Sequence, residues 1–248
     1  YVYELFLDEN GQKISKTKGN GIAVEEWLKY ATPESLSLFQ FQKPRVAKKL
    51  YFDVIPKAVD EYLTFLEKFP DEDPKRQIEN PVWHIHSGNP PAQTTPVSFA
   101  LLLNLVGAVL PTDRAQLWGY ISRYAPDATP ESHPLLDTLA GYAMAYYRDF
   151  IEPTKSYRAP TEQERTALTD LASRLRAYDG EITAPDLQTL VFSVGKENGF
   201  ADNIRDWFTA LYEVLFGQSQ GPRFGGFIAL YGIEETADMI DGALARDA

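Results

Sequence analysis

Hydrophobic positions change period once along this chain. Tyr1-Val2-Tyr3-Glu4-Leu5-Phe6-Leu7 is rich in β-formers and alternates, which predicts a strand. Asp8-Glu9-Asn10-Gly11-Gln12 predicts a turn around Asn-Gly, and a hairpin across it is the only nearby pairing for that strand. Residues 13–21 are polar, basic and glycine-bearing, so they form an exposed loop. Beyond them the period is helical almost to the end. Helices are expected over 24–30, from Thr32-Pro33 to 39, from Pro44, over 53–69 with Pro56 as a kink or true start, and from Thr95-Pro96 to 110. Further helices follow over 113–124, 133–150, 161–178, 184–197, 203–216, 227–230 and 234–244, with Asp113, Thr161 and Thr183 as caps. Residues 70–96 are the least regular stretch, and 217–226 read as a glycine-rich turn. The expected fold class is mainly α: a short N-terminal strand and loop followed by helices.

Composition narrows the classes. The 248 residues are 44% hydrophobic and 24% charged, which suits a folded chain with a sizeable core. Cysteine is absent, excluding a disulfide scaffold and a thiol nucleophile and suiting a cytoplasmic protein. The longest apolar run, 99–110, carries Asn104 and falls short of the ~18–20 residues a spanning helix needs. Nor does the start look like a signal peptide. With Met144 and Met239 as the only methionines and an unpartnered strand at the start, the chain reads as beginning inside a larger domain. The net charge of −11 argues against diffuse nucleic-acid binding, yet residues 1–50 hold eight basic against six acidic side chains. Such a distribution suits a protein that meets phosphate at chosen points.

The chemistry concentrates in Lys13-Ile14-Ser15-Lys16-Thr17-Lys18-Gly19-Asn20-Gly21. Alternating ammonium groups on a loop ending in glycines can close over a polyphosphate, lysine acting as a movable point charge. By itself the segment is also compatible with a solvated basic turn.

This loop resembles the KMSKS signature of class I aminoacyl-tRNA synthetases, with Ile14 in place of the Met and Thr17 in place of the last Ser. The run from Glu25-Glu26-Trp27-Leu28 to Pro33-Glu34-Ser35-Leu36 resembles the stem-contact helices of class I lysyl-tRNA synthetases. The helical remainder, with Gly221-Pro222-Arg223-Phe224-Gly225, resembles their anticodon-binding domain. The resemblance implies the end of a catalytic domain at 1–23, a helical stem-contact region at 24–90 and an α-helical anticodon-binding domain at 91–248. It implies that Lys13, Ser15 and Lys16 serve ATP, with Lys16 as the catalytic contact and Ser15 supporting the loop backbone. ATP would be a substrate, Mg2+ would arrive with it, and no metal would bind this part of the protein. Lysine tRNA is the expected partner, with Arg223 as a candidate contact, while lysine and ATP would be met through an upstream domain; no membrane is involved. The companion signature, His-x-Gly-His, is missing: His84-Ile85-His86 lacks the glycine and lies downstream of the loop. The chain alone is therefore expected to be inactive. A glutamyl-type synthetase part and a non-enzymatic helical scaffold are the alternatives.

Three other features invite a role. His84 and His86 would share one face of a strand and could ligate a metal, though a structural role is the expectation. Trp118, Tyr120, Tyr124, Tyr142, Tyr146 and Tyr147 sit at helical spacing and are expected mostly in the core. The run from Asp71 to Arg76 is expected to be a solvated loop.

Overall fold

The structure, a computed structural model, describes residues 4–15 and 17–246. Among them are thirteen α-helices and one two-stranded parallel sheet, a mainly α fold. In chain order these are β1 (Phe6–Leu7), α1 (Val24–Trp27), α2 (Pro33–Phe41), β2 (Lys48–Lys49), α3 (Val54–Lys68), α4 (Pro74–Glu79), α5 (Pro81–Ile85) and α6 (Phe99–Val109). They continue with α7 (Arg114–Tyr124), α8 (Pro134–Tyr146), α9 (Glu162–Arg176), α10 (Ala184–Gly195), α11 (Ile204–Leu215), α12 (Phe224–Tyr231) and α13 (Ile233–Ala245). Two compact units result: Tyr1–Ala100 with Pro130–Tyr146, and Leu101–Thr129 with Tyr147–Ala248.

In the first unit, local signals set most helix starts. Thr32 Oγ1 accepts from Ser35 N at 3.3 Å and Pro33 occupies the first helical position of α2. Ser35 Oγ in turn accepts from the buried Trp27 indole at 3.2 Å, tying α1 to α2. α3 buries Ile55, Val59, Tyr62, Leu63 and Leu66, one apolar stripe at the helical period. Pro56 lies in its first turn, where a missing N–H costs nothing.

Three expectations fail here, the first two for tertiary reasons and the third through local caps. Pro44 opens no helix: Lys43 takes φ +44°, and the chain then extends into β2, where Lys48 N and, just after the strand, Leu50 N donate to Leu5 O (3.2 Å) and Leu7 O (2.7 Å). α6 begins at Phe99 rather than just after Thr95-Pro96, because Asp60 of α3 caps it, accepting from Phe99 N at 2.6 Å and Ala100 N at 3.1 Å. Burial pushes the Asp60 carboxyl up, and those two amides pull against it. The stretch 70–96 contains α4 and α5, capped by Asp73 and Asn80, so the charged run from Asp71 to Arg76 is partly helical rather than an open loop.

The second unit is held by apolar packing among α9–α13. Leu168, Leu171, Leu175, Leu187, Val191, Trp207, Leu211, Phe216, Phe224 and Phe227 are all essentially inaccessible. α10 and α12 approach so closely that a Cβ at Gly225 would lie 2.3 Å from Gln188 N. α9 starts with a reciprocal cap: Glu164 N donates to Thr161 Oγ1 and Thr161 N to Glu164 Oε2. Arg158 locks the same end, with Nη1 and Nη2 on Glu164 (2.7 and 2.8 Å) and Nε on Glu213 (2.5 Å). The Arg158 guanidinium holds the Glu164 carboxyl below the usual range. Trp118, Tyr146 and Tyr147 are buried in their respective units, and Tyr120 stacks on Tyr231 at 5.6 Å.

Candidate functional site

The lysine-bearing loop grows out of β1, which is hydrogen-bonded on both sides. On one side Leu7 bridges Lys13 in antiparallel fashion and Ile14 N donates to Phe6 O at 3.0 Å, which is the hairpin across Asn10-Gly11. On the other, Phe6 and Leu7 pair in parallel with Lys48 and Lys49. The second pairing lies beyond any local pattern, since its partner is some forty positions away.

The turn is built on Asp8. Its Oδ1 accepts from Asn10 N (3.0 Å) and Gln12 N (2.8 Å), its backbone O accepts from Gly11 N (3.0 Å), and Gly11 takes φ +77°, which glycine adopts without strain. Asp8 Oδ2 accepts from Asn20 Nδ2 at 2.7 Å, and this bond is the main reason the Asp8 carboxyl lies below its ordinary range, Gln12 N adding to it. Asn20 also receives Ser15 N on Oδ1 (3.0 Å) and reaches Lys13 O with Nδ2 (3.3 Å). At the bend itself Ser15 O accepts from Lys18 N (3.2 Å) and Gly19 N (3.1 Å), Ser15 Oγ accepts from Lys18 N (3.2 Å), and Gly19 takes φ +62°. A Cβ at Gly21 would lie 2.3 Å from Ile14 Cγ2, so the outgoing limb closes directly on Ile14.

Of the expected ATP residues, Lys13 is exposed beside the bridge and Ser15 supports the bend through its carbonyl and hydroxyl. Lys16 lies outside the described residues. Asp8 and Asn20 organise the loop and carry no charge that a search for phosphate contacts would select. Asp8 was legible as the first residue of an Asx-type turn before Asn-Gly; Asn20 stood only at the end of the motif. Not all of the basic front is free to meet a ligand. Lys48 Nζ donates to Phe39 O (2.6 Å) and Gln40 O (3.1 Å) at the end of α2, and Lys49 Nζ to Glu9 O (2.8 Å).

The histidines do not share a strand face. His84 is in α5 with Nε2 2.8 Å from Ile78 O, and His86 ends that helix with Nε2 3.1 Å from the Tyr62 hydroxyl. Among the described residues no three His, Asp or Glu side chains converge as a metal site, and no helix is long and apolar enough to cross a membrane.

In the second unit Arg223 is exposed at the entry to α12, where its carbonyl accepts from Gly226 N at 3.1 Å. A separate cationic group escaped the sequence. Tyr157, 45% exposed, has Lys155 Nζ 5.4 Å and the Arg246 guanidinium 4.7 Å from its ring centre. Neither cation is ion-paired among the described residues, whereas Arg123, Arg148, Arg158, Arg174 and Arg176 of this unit all are. Burial alone would lower Lys155; the Tyr147 and Tyr157 oxygens outweigh it and hold the ammonium above its ordinary range. Ser156 N donates to Gly217 O at 3.0 Å, and Gly217 has φ +66° with the 156–157 backbone and ring against it, so the glycine-rich turn seats this group.

Residues 1–89 match the family of tRNA synthetases class I (K). The chain is 55% identical over 247 residues to a lysine–tRNA ligase of Roseobacter denitrificans, covering 100% of this chain and 46% of that protein. It is 50% identical over 244 residues to that of Rickettsia felis, covering 98% of this chain and 46% of the relative, and 48% identical over 244 residues to that of Rickettsia rickettsii, covering 98% and 47%. The chain thus spans about half the length of the curated relatives it matches. A lysine-rich loop rooted on a strand and a helical body agree with this similarity: the chain matches class I (K) tRNA synthetases over residues 1–89 and is similar to part of the lysine–tRNA ligases along its whole length.

Proposed function

We propose that this chain supplies the ATP-phosphate loop and the tRNA-binding part of a lysine–tRNA ligase acting in the cytoplasm. The reaction is activation of lysine followed by transfer to tRNA: a lysine carboxylate oxygen attacks the α-phosphorus of ATP, pyrophosphate leaves, and the lysyl group passes from the adenylate to the tRNA with release of AMP. Mg2+ enters with ATP. The observation that carries the reading is the loop Lys13–Asn20 held at its neck on β1, in a chain matched over its length to lysine–tRNA ligases. A loop fixed at the root and exposed at the tip can bring ammonium groups to phosphate oxygens without reordering its base.

In this reading Lys13 and Lys16 approach the phosphates, Lys16 meeting the charge that develops as the bond to pyrophosphate breaks, while Ser15 keeps the bend in shape. Charge placed there acts in the transition state, so Lys16→Ala should lower kcat for ATP–pyrophosphate exchange by roughly 10²–10³ with the KM for lysine little changed. The full-length protein is the material for that assay. A Lys16→Ala enzyme with ordinary exchange overturns the reading, and so does lysine-dependent exchange by the present chain alone, which lacks a His-x-Gly-His motif.

The tRNA reading places RNA on the second unit, where Tyr157 between Lys155 and Arg246 offers a ring and two cations to an unstacked base and its phosphate. Arg223 is a further candidate contact. A body this acidic cannot hold RNA by diffuse attraction, so log affinity should fall only shallowly with log salt. Tyr157→Ala in the full-length protein should weaken lysine tRNA by about 1–3 kcal/mol, the usual contribution of one stacked base. Unchanged affinity, measured by filter binding at two salt concentrations, removes Tyr157 from the interface.

A further inference from the structure

We infer that Asp8 and Asn20 are positioning residues for the lysine-bearing loop, the Asp8 carboxylate holding the Asn20 amide in its orientation and that amide fixing the backbone at Ser15, the residue before Lys16. The inference rests on the functional reading above and deepens it.

Asn20 is on the outgoing limb of the loop, and both of its partners on the incoming limb are backbone atoms: Lys13 O at 3.3 Å and Ser15 N at 3.0 Å. Its amide therefore closes the neck, and it can do so in one orientation only. Rotated by half a turn, the NH2 group would face the Ser15 N–H and the oxygen would face the Lys13 carbonyl. An amide side chain chooses between such orientations by its hydrogen-bond surroundings. Asp8 reinforces the orientation that Ser15 N–H and Lys13 O select, because an ionised carboxylate only accepts, and Oδ2 at 2.7 Å must meet the NH2. Asp8 is itself held, with Oδ1 taking Asn10 N and Gln12 N and only 8% of the residue exposed. Its depressed pKa keeps it in the accepting form. The chain of constraint thus runs from the hairpin turn through Asp8 and Asn20 to Ser15 N, one residue before Lys16.

Asn20 is neutral, and Asp8 engages its carboxylate oxygens in the turn and the neck, with Lys18 the least of the causes that lower its pKa, so their effect on the reaction is chiefly through placement. A displacement of about 1 Å of a group that must meet a reacting phosphate can cost a hundredfold in rate. The amide sits at a surface loop, so its loss leaves the apolar cores untouched.

The test uses the full-length protein with ATP–pyrophosphate exchange, separate titrations of ATP and lysine, and thermal unfolding. Asp8→Asn sets an NH2 group against the Asn20 NH2, and Asn20→Asp sets carboxylate against carboxylate. Each should lower kcat by roughly tenfold to a hundredfold with the KM for lysine unchanged. The double exchange, Asp8→Asn with Asn20→Asp, restores a donor opposite an acceptor at the 8–20 contact but leaves Lys13 O without its donor, so it should recover part of the rate lost by the worse single variant. Asn20→Ala removes the link without opposing like groups and should show the same split between kcat and KM. Single variants with ordinary kcat overturn the inference, as does a double variant no better than the worse single, or a rate loss that follows a fall in melting temperature. Lys16→Ala separates the two levels. If it is severe while the Asp8 and Asn20 variants are ordinary, the positioning role alone fails; if it too is ordinary, the functional reading fails and takes this one with it.

Discussion

The loop around Asp8 and the helical core of the second unit are held by opposite means. In the loop a few polar groups do the holding: one carboxylate accepts three hydrogen bonds and one amide makes three, with Ile14 against Gly21 as the apolar contact. In α9–α13 the holding is done by inaccessible aromatic and aliphatic side chains, with ion pairs such as Arg158–Glu164 at the periphery. Polar links are directional and individually modest, so they specify where a chain runs more than whether it folds. Apolar burial is non-directional and large, so it decides whether the unit folds. A substitution in the loop should therefore appear in rate, and one in the helical unit in stability.

The sharpest way to break that contrast is at Trp207. It is fully buried, its indole donates to Val191 O at 2.9 Å, and a Cβ on Gly195 would lie 2.4 Å from its ring. Trp207→Ala should cost about 3–5 kcal/mol, read as a lower urea midpoint by circular dichroism. A loss under about 1 kcal/mol would mean that the core of this unit does not govern its stability.

Less severe is Gly225→Ala. The added carbon meets the backbone of α10 rather than a movable side chain, so α10 and α12 must separate. A cost of about 1–3 kcal/mol follows from overpacking, and an unchanged melting curve would show that the helix pair is more compliant than its spacing implies.

Titration of Asp8 gives the smallest effect. Its pKa is depressed chiefly by Asn20, so its contribution to stability is present above the ordinary carboxylate range and lost as pH falls through the lower folded value. Asn20→Ala should return the Asp8 carboxyl toward its ordinary value, followed by carboxyl-detected NMR, with the melting temperature near neutral pH almost unmoved. A titration identical to the unsubstituted protein would mean that the link between Asp8 and Asn20 does not hold in solution.

What local sequence could determine, it determined through short-range physics. Side-chain caps act over three residues, which is why Thr32, Asp113, Thr161 and Thr183 mark helix starts that the structure contains. Apolar periodicity acts within one helix, so the stripe of α3 and the buried faces of α9 and α11 were legible, as was the glycine-terminated lysine loop. Tertiary structure alone decided what depends on atoms far apart in the chain. β2 exists because Leu5 and Leu7 offer carbonyls to it, and α6 starts where Asp60 of α3 meets its amides. Asn80, the local cap that puts His84 in α5 and His86 at its end, is in turn anchored by donating to Phe65 O of α3 at 3.0 Å. In the loop, sequence displayed the ammonium groups, whereas the fold chose the residues that aim them. Charge is a property of the residue itself, but the orientation of the Asn20 amide exists only once Asp8, Lys13 and Ser15 have been brought around it.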